Sequence, residues 1–150
     1  MEYLICDVSA EMIEQVHEIE TLCFSMPWTE DNLKSQLKDD RHEFIAAVAD
    51  GKVLGYVGMM YVLDEGYISN VAVRPEYRRQ GIGAGLIGEL LTLCRSKELS
   101  FVTLEVRKSN FPAMELYRKH GFEIVGTRKN YYELPKEDAI LMTKYLKEAH

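Results

Sequence analysis

The 150-residue sequence lacks several features that would assign a class at once. Basic residues are outnumbered, 18 Lys and Arg against 24 Asp and Glu, for a formal net charge of −6. A surface built to neutralise phosphates carries the opposite balance, so no nucleic-acid partner is expected. No apolar run approaches the roughly 18 to 20 residues of a membrane span. The opening MEYLICDVSA has neither the basic nor the apolar region of a secretory leader. A cytoplasmic protein without membrane contact is the expectation. Cys6, Cys23 and Cys94 are odd in number and set among apolar neighbours, which predicts reduced core thiols and no disulfide. His17, His42, His120 and His150 share no ligand spacing, so no metal site is expected. Linkers, repeats and low-complexity tracts are missing too, so residues 1–150 read as one domain, large enough to bury about 70% of its unfolded surface. Nothing in the sequence specifies an oligomeric state.

What is present is a mixed α/β pattern. YLIC reads as a strand, followed by a helical stripe of Ile13, Val16, Ile19, Leu22 and Cys23 with Ser9 as its cap. Thr29, followed by Glu30 and Asp31, starts a second helix with an apolar edge at Leu33 and Leu37. EFIAAVAD and KVLGYVGMMYVL are strands joined at Asp50-Gly51, a hairpin signal, and Asp64-Glu65-Gly66 is a further turn. YISNVAV, GIGAGLIGELLTLCRSK and FVTLEV form a parallel strand-helix-strand unit. A short helix from Pro112 to His120 ends at Gly121, and two final strands flank a loop, KNYYELPKE. The order predicts an antiparallel front half.

Between the strand ending near Val73 and the following helix lies RRQGIG. A helix start leaves backbone N–H groups unpaired and carries partial positive charge, so an anion bound there gains several hydrogen bonds. Gly81 and Gly83 remove side chains that would hold a phosphate away, and Arg78 and Arg79 favour a pyrophosphate over a single carboxylate. An ordinary helix start with solvated arginines is the plain alternative. Gly83, Gly85 and Gly88 also fit G-x-G-x-x-G, with Glu105 22 residues after Gly83, where a dinucleotide-binding acid would fall. That reading fails on spacing. Gly83 comes ten residues after Val73, whereas the fingerprint sets its first glycine at the strand end; Gly85 and Gly88 then suit close helix-sheet packing.

At these residues the chain resembles the GNAT superfamily of N-acetyltransferases, whose mark R/Q-x-x-G-x-G/A is met by Arg78, Gly81 and Gly83. CFSMPW, ISNVAVRPEYRRQGIG, LEVRKSNFPAMELYRKHGF and RKNYYELPKEDAILM are similar to the bacterial ribosomal-protein-alanine N-acetyltransferases, across about 60 positions. The resemblance implies a GNAT fold: a mostly antiparallel sheet with a splayed parallel strand pair, flanked by helices. It implies acetyl-CoA as co-substrate, its pyrophosphate on Arg78, Arg79, Gln80, Gly81, Ile82, Gly83 and Ala84. The pantetheine arm would lie along Val71, Ala72 and Val73 and near Asn110, and the Val71 and Val73 amides would polarise the thioester carbonyl. It further implies Glu105 as general base and Tyr117 as general acid.

The residues themselves leave alternatives. Glu105 sits mid-strand on the face of Thr103 and Arg107, so an ion pair with Arg107 is the plain alternative. Tyr117, at helical spacing from Ala113 and Met114, fits core packing, and Asn110 fits a helix cap. A cysteine relay through Cys94 has no histidine at fixed spacing to support it, so direct attack by an amine is the simpler chemistry. For the substrate, the resemblance implies the basic N-terminal peptide of a small-subunit ribosomal protein. Trp28, Tyr131 and Tyr132 are the expected slot, with Glu133, Glu137 and Asp138 meeting basic side chains; a solvated hairpin loop with one packed tyrosine is the alternative. Two rivals stand beside this function. One is a GNAT enzyme for lysine or a small amine; the other is an acetyl-CoA-binding domain without catalysis.

Overall fold

A computed structural model describes residues 2–147. Seven strands form one sheet: β1 (Leu4–Asp7), β2 (His42–Ala49), β3 (Lys52–Val62), β4 (Glu65–Val73), β5 (Phe101–Arg107), β6 (Glu123–Glu133) and β7 (Lys136–Tyr145). Their order is β1-β2-β3-β4-β5-β7-β6, and every neighbouring pair is antiparallel except β4 with β5. Four helices cover it: α1 (Ile13–Cys23), α2 (Glu30–Leu37), α3 (Ile82–Ser96) and α4 (Phe111–Lys119). The mixed, mostly antiparallel architecture with one parallel pair agrees with the sequence pattern. Among the described residues, no helix is long and apolar enough to cross a membrane.

Period-2 alternation splits the core into two layers. On β2, Phe44 and Ala46 pack with Val16 and Ile19 of α1 and Leu33 of α2, while Ile45 and Ala47 pack with Leu86, Ile87 and Leu90 of α3. Each large aliphatic side chain so buried contributes about 1.5–3 kcal/mol. α3 repeats apolar residues at helical spacing, Ile82, Leu86, Ile87, Leu90, Leu91 and Cys94, and buries all six.

Local signals set the boundaries. The Thr29 hydroxyl accepts from the Asn32 amide at 3.1 Å and caps α2. Asp50 and Gly51 both take positive φ, 51° and 76°, the geometry of a tight hairpin turn. Several expectations need correction. The Ser9 side chain caps nothing; its carbonyl accepts from Met12 and a 3-10 turn, Ala10–Met12, precedes α1. Leu22 is half exposed, off the stripe. The turn expected at Asp64-Glu65-Gly66 falls at Leu63-Asp64, because Glu65 and Gly66 already pair with Phe101 and Val102 in the sheet. β6 runs to Glu133, so most of KNYYELPKE is strand, with a register break between Arg128 and Tyr132. Of the cysteines, Cys94 is buried, its thiol pKa pushed up to about 11 by burial, but Cys6 is exposed and Cys23 half-buried. Gly85 does sit in close packing, against Tyr3, whereas a side chain at Gly88 would meet open space.

Candidate active site

The parallel pair is short. β4 and β5 are in register from Glu65 with Phe101 to Ile68 with Leu104, and beyond that rung they part. A β-bulge coincides with the parting: Gly58 faces Asn70 and Met59 faces Ile68, so Ser69 is the extra residue. The bulge reverses the alternation of β4. Ile68 packs in the α3-side layer, yet Ala72, four residues on, packs in the α1-side layer. Between the separated strands opens a cleft of about 630 Å³, lined among others by Trp28, Val71, Glu105, Asn110, Tyr117, Tyr131 and Tyr132.

Glu105 enters this cleft from β5, its side chain only 6% exposed. Oε1 accepts a hydrogen bond from the Tyr67 hydroxyl at 2.9 Å and lies 3.7 Å from Arg128 Nε; Oε2 has no partner among the described residues. Arg107 does not pair with it. That guanidinium binds Glu137 at 3.3 Å and the carbonyls of Leu134 and Pro135, and stacks 4.3 Å over Tyr132. Tyr131 meets Tyr132 edge to face at 5.1 Å. Burial raises the Tyr132 phenol to about 12. Tyr117 is packed against Phe122 and its phenol is pushed well above the ordinary value, first by burial and then by the neighbouring Tyr132. It therefore holds its proton throughout the neutral range. Asn110 caps α4, its side-chain oxygen accepting from the Ala113 amide at 3.3 Å, and also lines the cleft.

The remaining sequence candidates lie at the adjoining end of β4 and the start of α3. Val73 accepts from Arg78 Nε at 3.1 Å, while Arg79 and Gln80 are exposed. Gly81 has φ of 81°, left-handed, and a Cβ there would meet nothing within 4 Å. The first-turn amides of Ile82, Gly83 and Ala84 have no partner within the helix. Open space, three free amides and two arginines fit a pyrophosphate. The Ile82 side chain itself is core, and Ala72 is buried under α1, so only their backbones face the site. Gly83 has a different reason from the one its motif suggests: a Cβ there would stand 3.3 Å from Leu116 Cδ2, so it admits α4 against α3. Glu137 and Asp138 are not free for a substrate, since they bind Arg107 with the Ser109 amide and the Asn130 amide respectively; Glu133 is exposed at the cleft.

Sequence reasoning passed over Tyr67, Asn70, Glu20 and Arg128. Glu20 left a signal, a carboxylate on the inward stripe beside Val16 and Ile19. Asn70 shows only once the bulge turns it to the α1 side.

The fold and cleft define an acyl-transferring enzyme of the acetyl-CoA-dependent kind. The chain belongs to the Acetyltransferase (GNAT) family, whose model matches residues 13–122, and the family uses acetyl-CoA. A relative from Haemophilus influenzae, named ribosomal protein bS18-alanine N-acetyltransferase, is 34% identical over 146 residues, 95% of this chain and 99% of that one. A Bacillus subtilis relative that carries this name in provisional form is 41% identical over 133 residues, 88% of each chain. The crystal structure of the ribosomal-protein-S18-alanine N-acetyltransferase from Escherichia coli superposes with a TM-score of 0.90 at 30% identity, covering 99% of this chain and 97% of that one.

Proposed function

We propose that this chain transfers the acetyl group of acetyl-CoA to the N-terminal α-amine of alanine on ribosomal protein bS18, in the cytoplasm, by direct attack. The observation that carries this reading is the convergence in one cleft of a buried carboxylate with a free oxygen, Glu105 Oε2, and a phenol that keeps its proton, Tyr117. An α-amine has a pKa of roughly 7.7–8, so near neutrality most of it is protonated and must lose a proton before it attacks. Glu105 takes that proton, directly or through one water. Tyr117 gives one to the departing thiolate of CoA. The amides of Val71 and Val73, freed from β5 by the parting of the strands, polarise the thioester carbonyl; their release from sheet pairing supports this role.

The backbone of Gly81 to Ala84, with Arg78, Arg79 and Gln80, holds the pyrophosphate, and Asn110 the pantetheine arm. Trp28, Tyr131 and Tyr132 wall the peptide slot, and Glu133 favours a basic sequence behind the alanine. The test is incubation with acetyl-CoA and a basic peptide beginning with alanine, mapped by tandem mass spectrometry. The expected product carries acetyl on the α-amine alone, and a peptide with a blocked N-terminus stays unmodified. Equal transfer to internal lysines, or none to either amine, would overturn the proposal.

A further inference from the structure

The cleft contains a second buried carboxylate that the proposed chemistry leaves idle. Glu20 is 1% exposed on the inward face of α1, where a carboxylate without partners would be strongly disfavoured. Its Oε1 accepts from the Trp28 amide at 3.1 Å, and both oxygens accept from Asn70 Nδ2 at 3.2 Å. The Tyr56 hydroxyl lies against the same group, outside hydrogen-bond geometry. Burial raises the carboxyl pKa and these donors oppose the rise.

A carboxylate only accepts, so it admits one orientation of the Asn70 carboxamide: Nδ2 toward α1, Oδ1 away from it. Asn70 is 8% exposed and its Oδ1 has no partner among the described residues, as is true of Glu105 Oε2; both side chains line the cleft. Two buried acceptors without donors suit a guest rich in N–H, which an amine is. The bulge at Ser69 turns Asn70 to this side, and Glu20 then locks it.

We propose that Glu20 is a positioning residue for acetyl transfer, fixing Asn70 so that its amide oxygen accepts a hydrogen bond from the attacking amine, and fixing Trp28 at the wall of the peptide slot. The inference deepens the proposed function and rests on it. Asn70 touches substrate; Glu20 acts through Asn70 and through the Trp28 backbone.

The experiment measures kcat and KM for the alanine peptide together with acetyl-CoA affinity by calorimetry, in the wild type, Asn70→Ser, Glu20→Gln and two double variants. Glu20→Gln introduces a carboxamide with a donor of its own, so it releases the Asn70 amide to turn around. Asn70→Ser and Glu20→Gln should each lower kcat/KM for peptide by roughly 10- to 100-fold, with acetyl-CoA affinity within about twofold. Glu20→Gln with Asn70→Ser should cost no more than either alone. Glu20→Gln with Asn70→Asp restores the donor-acceptor pair in reverse and leaves one carboxylate oxygen for the amine; it should recover to within about threefold of wild type. A purely structural role predicts instead lowered stability, weakened acetyl-CoA binding and no recovery in the swapped pair, and that pattern sinks the proposal. Asn70→Ser carries the test alone if Glu20→Gln does not fold. A wild type that acetylates the peptide while Asn70→Ser matches it overturns this inference only; a wild type inert toward every α-amine overturns the proposed function with it.

Discussion

Tyr67 donates to Glu105 Oε1 across the parallel strand pair, 2.9 Å away and just where pairing ends. One oxygen of the carboxylate is thereby committed and the other is left unpartnered at the cleft. Burial, and next the bond to Glu105, pushes the Tyr67 phenol far above its ordinary pKa, so it remains a donor at any working pH. Tyr67→Phe should leave acetyl-CoA affinity intact and lower kcat by roughly tenfold, the scale of one hydrogen bond to a charged group. Steady-state rates beside calorimetric affinity give the answer.

Glu105→Gln should keep acetyl-CoA binding and lose turnover by roughly 10²- to 10⁴-fold at neutral pH. Deprotonation of the amine then falls to bulk solvent, so the residual rate should climb as pH passes about 8. A flat profile, or near-normal turnover at pH 7, assigns the base elsewhere.

Tyr117→Phe removes a donor, so raising the pH should not rescue it. The expected loss is again roughly 10²- to 10⁴-fold in turnover. Because Tyr117 packs on Phe122, retained thermal stability must accompany the loss.

Gly81 adopts φ of 81°, a conformation that costs an L side chain about 1–2 kcal/mol. Gly81→Ala should lower thermal stability by that amount and weaken acetyl-CoA binding. Gly83→Val acts by another route, pressing Leu116 and with it the helix that carries Tyr117. Its damage should extend to kcat as well as to cofactor affinity. Melting curves with and without acetyl-CoA, paired with rates, separate the two.

Glu137 accepts from the Ser109 amide at 2.6 Å and from Arg107, and these hold its carboxyl below the ordinary 4.5, the Ser109 bond contributing most. A depressed folded pKa means stability that is present above the unfolded value and lost as pH falls through the folded one. Glu137→Gln should therefore flatten the fall in melting temperature below about pH 5 while leaving neutral rates near wild type.

Elements whose cause is local were legible in the sequence: the Thr29 cap, the Asp50-Gly51 turn, the apolar face of α3 and the parallel unit around it. The cleft was legible in its parts, since Glu105, Tyr117, Asn110 and the tyrosine pair do meet there. What escaped depends on pairing between distant segments. The bulge at Ser69 exists only against β3, and it alone sends Asn70 to Glu20. Arg107 seemed free for Glu105 because Glu137, thirty positions later, is out of local view. The reach of β6 through Tyr131 and Tyr132 is set by pairing with β7, which overrides a turn-rich composition.

The parting of β4 from β5 also bears on solubility. Strand edges with unpaired N–H and C=O groups invite other chains to add on, and proteins ordinarily keep them short, charged or covered at the rim. Here two such edges lie in the middle of the sheet, beyond the rung of Ile68 with Leu104, and each strand stays paired on its other side. The proposed pantetheine arm, slender and amide-bearing, would pair there. A gap reserved for the proposed cofactor thus keeps both edges inside the fold, away from the rim where other chains add on.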